Sequence, residues 1–146
     1  MPADYSLLLK QVESLIADEA DMIARTANIS ALLFNSLERI NWLGFYFLQG
    51  EELVLGPFQG QVACSRIPVA KGVCGTAFAN NETLLVDDVH LFEGHIACDV
   101  ASESEVVVPF NTAKIAGVLD VDSPEKSRFT KAEAELFEQV VALLIN

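Results

Sequence analysis

Basic side chains are scarce in this chain: nine lysines and arginines stand against twenty-one acids, for a net charge of −12 over 146 residues. Such a chain repels polyanions and has no cationic stripe along which phosphates are neutralised, which speaks against nucleic acid and anionic membrane surfaces as partners. Long apolar runs are missing too. None approaches the roughly 18 residues needed to cross a bilayer, and the opening MPADYS has neither a basic n-region nor an apolar h-region. The expectation is a cytoplasmic protein. Cysteine is sparse and odd in number, three in all. In a reducing compartment that count points away from a disulfide framework and towards thiols that are reactive, metal-binding or simply buried. Paired C-x2-4-C, HExxH and a phosphate loop with its lysine are all lacking, as is any hydrolytic triad. What is abundant is apolar content, 51% of the chain, ample for the core of a single domain spanning residues 1–146.

Leu8, Leu9, Val12, Leu15 and Ile16 recur at helical spacing from Tyr5, with Lys10, Glu13 and Asp18 on the other side, and predict an amphipathic helix. A second helix is expected over Met22 to Leu37, so that the N-terminal helices occupy about 4–38. Asn41 to Leu48 then reads as an aromatic strand that turns at Gln49-Gly50 into the β-like run Leu53 to Leu55. Alternation places Trp42, Gly44 and Tyr46 on one face and Leu43, Phe45 and Phe47 on the other. Further strands are expected at Ala63–Val69, Leu84–Val86, Val106–Val108 and Ile115–Val121, with a short helix over Gly72–Asn80. Residues 87–98 show no periodicity and read as a loop of about 12 residues, a length that more often marks function than connection. Thr130 and Glu133 have the spacing of a capping box and open a last helix, to about 145, with Phe137, Val140, Val141 and Leu144 as its buried stripe. These elements predict an α+β domain. Its antiparallel sheet of about six strands, over 41–122, should carry the N- and C-terminal helices on one face and loops over a ligand pocket on the other.

The chemistry lies with the thiols and a few acids. An unperturbed thiol, with a pKa of about 8.5, is only slightly ionised at neutral pH, so a reactive cysteine needs a partner thiol, a cation or a cluster of amides. Cys64, Cys74 and Cys98 are near enough in sequence to be partners, and each reads equally well as a small buried hydrophobe. His90, His95 and Cys98 form a weak metal set because the spacing of a zinc site is lacking, so no metal is expected. Asp120 and Asp122 share a strand face, and Glu105 opens the neighbouring strand. Crowded carboxylates suppress one another's ionisation and keep a proton available near neutrality. A thiol, a protonated acid and an aromatic wall suit the reduction of a small polar sulfur or peroxide species; the same residues also suit a simple ligand cage.

The segments NWLGFY (41–46), LGPFQG (55–60), ACSRIPVAKGVCGTA (63–77), DVHLFEGHIACDVASESEVVVP (88–109) and GVLDVDSP (117–124) resemble the free methionine-R-sulfoxide reductases, a catalytic group of the GAF-domain family. The resemblance covers nearly the whole chain, and its three-cysteine pattern with HIACD is specific to that group. It implies a GAF fold, free methionine (R)-sulfoxide as substrate, no bound cofactor, and thioredoxin as external reductant. Cys98 falls at the position of the nucleophile, which becomes a sulfenic acid. Cys64 matches the resolving thiol that condenses with it. Cys74 is the third cysteine, an alternative resolving thiol or a pocket residue. Glu105 and Asp122 match acids that protonate the sulfoxide oxygen, Asp120 supports them or meets the substrate ammonium, and Trp42 with Tyr46 forms the aromatic wall. Backbone amides near Ile96 and Ala97 are the expected seat of the substrate carboxylate. The turn after Pro109 is about a residue shorter than in that group. Related GAF domains pair through terminal helices, so a homodimer is compatible with the resemblance. The alternatives are a non-catalytic GAF module that senses a small molecule and a dimerisation domain with inert cysteines.

Overall fold

A computed structural model describes residues 4–98 and 100–146. The elements run α1 (Tyr5–Ile16), α2 (Met22–Ser36), β1 (Trp42–Gln49), β2 (Glu52–Gly60), β3 (Arg66–Pro68), α3 (Gly72–Asn80), β4 (Leu84–Val86), a 3-10 turn (Val89–Leu91), β5 (Ser104–Asn111), β6 (Ala116–Ser123) and α4 (Lys131–Ile145). Each long helix starts where a side-chain oxygen takes up an amide that the helix leaves unbonded. Asp4 accepts from Leu7 N, Asp21 from Ala24 N, and Thr130 from Glu133 N, with the Glu133 side chain completing a capping box.

The six strands form one antiparallel sheet in the order β3-β2-β1-β6-β5-β4. Strand alternation then divides the molecule. Leu43 and Phe45 of β1, Val106 and Val108 of β5, and Leu119 and Val121 of β6 pack against Leu8 and Val12, Ile29 and Leu33, and Phe137 and Val140 from the three long helices. The intervening residues Trp42, Tyr46, Val107 and Val118 point the other way, onto Val73, Cys74 and Ala77 of α3. The face expected to carry loops is therefore covered by a helix as well. Asp120 and Asp122 continue the Val118 face, and Glu105 continues the Val107 face, so period-two geometry delivers all three acids to the α3 side.

Two expectations are corrected. The strand predicted over Ala63–Val69 survives only as Arg66–Pro68, because its first half is drawn off the sheet by side-chain commitments of Cys64 described below. The aperiodic loop after β4 contains the 3-10 turn, whose start is capped by Asp88 accepting from His90 N at 3.0 Å. The short turn after Pro109 leaves the neighbouring register intact, running without a shift from Ser104 opposite Ser123 to Asn111 opposite Ala116. Thr112 closes that turn, its hydroxyl accepting from Ile115 N at 3.0 Å and its own amide donating to Ile115 O at 2.8 Å. No helix among the described residues is long and apolar enough to cross a membrane.

Candidate active site

Cys64 and Cys98 are joined as a disulfide, 34 residues apart in sequence with Cα atoms 5.1 Å apart. The bond ties the segment before β3 to the loop after the 3-10 turn. Cys64 is held from a second side as well, since its carbonyl accepts the Tyr46 hydroxyl at 2.9 Å. A carbonyl engaged by a side chain and a side chain engaged by a distant loop explain why Cys64 stands off the sheet, which the chain joins from Ser65, whose carbonyl accepts Leu55 N at 2.9 Å.

Beneath the disulfide lies a cavity of about 30 Å³ whose lining includes Tyr46, Cys74, Cys98, Glu105, Asp120 and Asp122. The three acids are brought together by register. Glu105 pairs with Asp122 across β5 and β6, Val107 pairs with Asp120, and β1 sets Trp42 opposite Asp122 and Gly44 opposite Asp120. All three are buried, at 7%, 6% and 8% exposure for Glu105, Asp120 and Asp122. Ionising them together is costly in so little water. Burial, and then the charges of Asp122 and Glu105, hold the Asp120 carboxyl far above the usual carboxylate range. Its Oδ1 is buried and meets no hydrogen-bond donor among the described residues.

Cys74 remains a thiol and is buried. It sits at the start of α3 with its Sγ 3.8 Å from Glu105 Oε2. Burial, and then the charges of Asp120 and Glu105, push its pKa well above the ordinary thiol value. It is therefore a proton holder in this state and a poor nucleophile. The seating of the covering loop on the start of α3 depends on Gly72, whose φ of +63° suits glycine and whose absent side chain leaves room for Ile96, 3.2 Å from where a Cβ would stand.

The remaining predicted residues fall at different depths. Tyr46 lines the cavity, whereas Trp42 stands behind it, stacked on Tyr46 at 5.9 Å and on Phe58 at 5.2 Å, with its indole N–H donated to Gln61 O at 3.1 Å. Ile96 lines the cavity and Ala97 does not. The Cys98 amide is already donated to Ile96 O at 3.1 Å. His90 and His95 do not act together: His90 Nε2 lies 2.7 Å from Glu103 Oε2, while His95 lines the cavity. Sequence reasoning passed over Ile67, Val73 and Ser102 as lining residues. Only the burial of a polar side chain distinguishes Ser102, at 6% exposure, and spacing carries no such signal. Among the described residues, two groups of His, Cys, Asp or Glu have donor atoms mutually within 4.8 Å, Cys74 with Glu105 and Asp120 in the cavity, and Asp88 with His90 and Glu103 at the surface.

A sequence model of the GAF domain matches residues 17–144. The chain belongs to the GAF domain family. Among curated relatives of this GAF domain, the free methionine-R-sulfoxide reductase of Escherichia coli (strain K12) is 51% identical over 141 residues, 96% of this chain and 86% of that protein. Among solved structures, the free methionine-R-sulfoxide reductase from Neisseria meningitidis in complex with its substrate superposes with a TM-score of 0.93 at 40% identity, covering 99% of this chain and 90% of that one. The fRMsr of Staphylococcus aureus in complex with substrate superposes with a TM-score of 0.92 at 53% identity, covering 99% of this GAF domain and 95% of that chain.

Proposed function

We propose that this GAF domain reduces free methionine (R)-sulfoxide to methionine with its own thiols. The observation that carries the reading is the Cys64–Cys98 disulfide, whose Cys98 lines a cavity walled by buried carboxylates, and the similarity to reductases of that name supports the substrate. In the dithiol form, the Cys98 thiolate attacks the sulfoxide sulfur. The sulfoxide oxygen takes a proton and passes to the Cys98 sulfur as its bond to the substrate sulfur and the transient Cys98–substrate S–S bond both break, so that methionine leaves and Cys98 keeps the oxygen as a sulfenic acid. The Cys64 thiol then attacks that sulfur, water departs, and the disulfide forms. Two electrons and two protons from an external dithiol, thioredoxin in this reading, regenerate both thiols.

Each neighbouring group has work to do in that sequence. An oxygen leaving sulfur requires a proton, and a carboxyl held well above the usual carboxylate range by burial and by the charges of Asp122 and Glu105, as Asp120 is, is suited to supply one. The same acids supply counter-charge for the substrate ammonium. Tyr46 gives an aromatic wall backed by Trp42, and Cys64 rather than Cys74 is the resolving thiol, since Cys74 points at Glu105. A cavity of about 30 Å³ holds one or two waters and no amino acid, so the disulfide state is the closed end of the cycle. The requirement for a reducing dithiol agrees with a cytoplasmic site of action. Pairing of two copies through the terminal helices fits the exposure of Leu7, Leu15 and Ile145 on α1 and α4.

A sensing module without catalysis has no use for a second thiol placed to trap the first, which favours the enzyme. The test is a single turnover of pre-reduced protein with no reductant present. Cys98→Ser should form no methionine, whereas Cys64→Ser should form one equivalent and then fail to recycle with thioredoxin. Normal turnover by Cys98→Ser would overturn the reading. Presenting R and S epimers of free and peptide-bound methionine sulfoxide tests the substrate, and only the free R form should react.

A further inference from the structure

We propose that the pocket of the disulfide form is a binding site for a borderline-soft divalent metal ion, of the zinc class, held by Cys74 Sγ, a Glu105 oxygen and an Asp120 oxygen. The three donor atoms lie mutually within 4.8 Å on buried side chains, with Cys74 Sγ 3.8 Å from Glu105 Oε2, so that small side-chain shifts bring all three to one ion at bond lengths of roughly 2.0–2.3 Å. Independently, Asp120 Oδ1 is buried in the wall of the cavity with no donor among the described residues to meet it. Such an oxygen carries a desolvation cost that a cation removes. The cavity, about 30 Å³, is of a size for an ion or one to two waters and excludes a molecule the size of an amino acid.

The donor chemistry selects the ion. A thiolate disfavours calcium and magnesium, which take oxygen ligands, whereas one sulfur with two carboxylates suits zinc, cobalt(II) or cadmium. Cys74 from α3, Glu105 from β5, Asp120 and Asp122 from β6, Tyr46 from β1 and His95 from the covering loop are the titratable groups that line the cavity with the disulfide-bonded Cys98, and no lysine or arginine does. Coordination requires the Cys74 thiol and the Asp120 carboxyl to give up their protons to solvent, so binding strengthens as pH rises and releases protons as it occurs. In the disulfide form Cys64 and Cys98 have no thiolate to offer, which leaves Cys74 as the single sulfur ligand. Because the same oxygens meet the substrate ammonium in the catalytic reading, an ion lodged here blocks turnover. That consequence rests on the proposed function; the binding itself does not.

Cobalt(II) titrated into the full chain in its disulfide form tests the site, since a cobalt–thiolate bond announces itself by an intense ligand-to-metal charge-transfer band. One equivalent should develop the band, excess magnesium should leave it in place, and zinc should abolish it. Cys74→Ser should remove the band, and Asp120→Asn should weaken binding at least tenfold while Cys74 still gives the band at saturation. Both variants should retain the far-ultraviolet circular dichroism of the parent, and Cys74→Ala serves if Cys74→Ser does not. Cobalt binding without a thiolate band, lost instead in His90→Ala, would place the metal at the surface group of Asp88, His90 and Glu103 and overturn the proposal. So would a band that survives Cys74→Ser, or the absence of binding. A chain that binds cobalt as described but fails the sulfoxide assay would leave this inference standing and sink the catalytic one.

Discussion

At the scale of single residues, the cluster around Asp120 has a cost that pH exposes. The folded chain keeps a proton on a carboxyl whose ordinary value is 3.8, because burial and the charges of Asp122 and Glu105 oppose its loss. The unfolded chain has no such opposition. The contribution of this group to stability is therefore intact below the ordinary value and is lost progressively as pH rises towards the folded one. Asp120→Asn removes the titration while keeping the shape. Its melting temperature relative to the parent should climb between pH 4 and pH 8, and a constant difference across that range would show that Asp120 does not titrate anomalously. The same substitution should lower the single-turnover rate by about 10²-fold or more, the usual scale for losing a positioned acid. A related contrast separates the thiols. After reduction, iodoacetamide at neutral pH should label Cys98 rapidly and Cys74 far more slowly, since burial and three carboxylates hold the Cys74 proton. Mass spectrometry of peptides carrying each cysteine distinguishes them. Equal rates would remove the distinction drawn here between nucleophile and proton holder.

At the scale of elements, what was legible in the sequence was whatever is encoded over a few neighbouring residues. The Thr130 and Glu133 capping box is local chemistry, and it stands in the structure with both reciprocal bonds. The alternation that put Asp120 beside Asp122 is equally local. Glu105 opposite Asp122 needed only the antiparallel register. The truncation of β3 and the placing of Trp42 behind Tyr46 were not legible, because both are settled by partners far away in sequence, Cys98 for one and Phe58 for the other. The gathering of Cys74 with Glu105 and Asp120 likewise depends on how α3 lies across β5 and β6. The element-scale predictions use the same distinction. Thr130→Ala should cost about 1 kcal/mol in denaturant unfolding, the typical value of a cap. Glu133 is also held by Arg128 through two short bonds of 2.8 and 2.6 Å, and both side chains are buried. Burial by itself would raise the Glu133 pKa, but the Arg128 and Thr130 bonds outweigh it and leave the group below its ordinary 4.5. Its contribution is thus present above that value and lost as pH falls through the lower folded one. Glu133→Gln should destabilise the chain at pH 7 and approach parity with the parent below pH 4; equal deficits at both would assign the loss to packing. Gly117 is a steric counterpart. A Cβ there would stand 2.0 Å from Tyr46 O, so Gly117→Ala must push β6 from β1 and should cost more than about 2 kcal/mol.

At the scale of the whole molecule, one covalent bond links the two loops that cover the α3 side of the sheet, while the helical side is packed independently around Leu33, Phe45 and Phe137. Closing a loop of 34 residues removes unfolded-state entropy worth about 2–4 kcal/mol, so reduction should lower the unfolding free energy obtained from denaturant titration by an amount in that range. Part of the loss should be local. The segment 91–98 reaches the body of the domain through the disulfide, the amides of Leu91 and Phe92 donated to Asp88 O and Val89 O, and the packing of Phe92 and Ile96 on the α3 side, whereas the His95 and Cys98 turn bonds stay within the segment; that is a thin set of restraints once the covalent one is gone. Reduction should therefore raise amide hydrogen exchange in 91–98 and 61–65 while leaving the amides of α1, α4 and β1 protected, because the helical-side core does not depend on the bond. This selectivity matters to function, since a cavity of about 30 Å³ must enlarge several-fold to admit an amino acid, and mobile loops over a rigid carboxylate wall enlarge it without moving the acids. Exchange that rises uniformly, helices included, would mean that the bond holds the entire fold. Exchange unchanged in 91–98 would mean that the cavity stays shut on reduction, and a substrate with the dimensions of methionine sulfoxide would then have no route to Cys98.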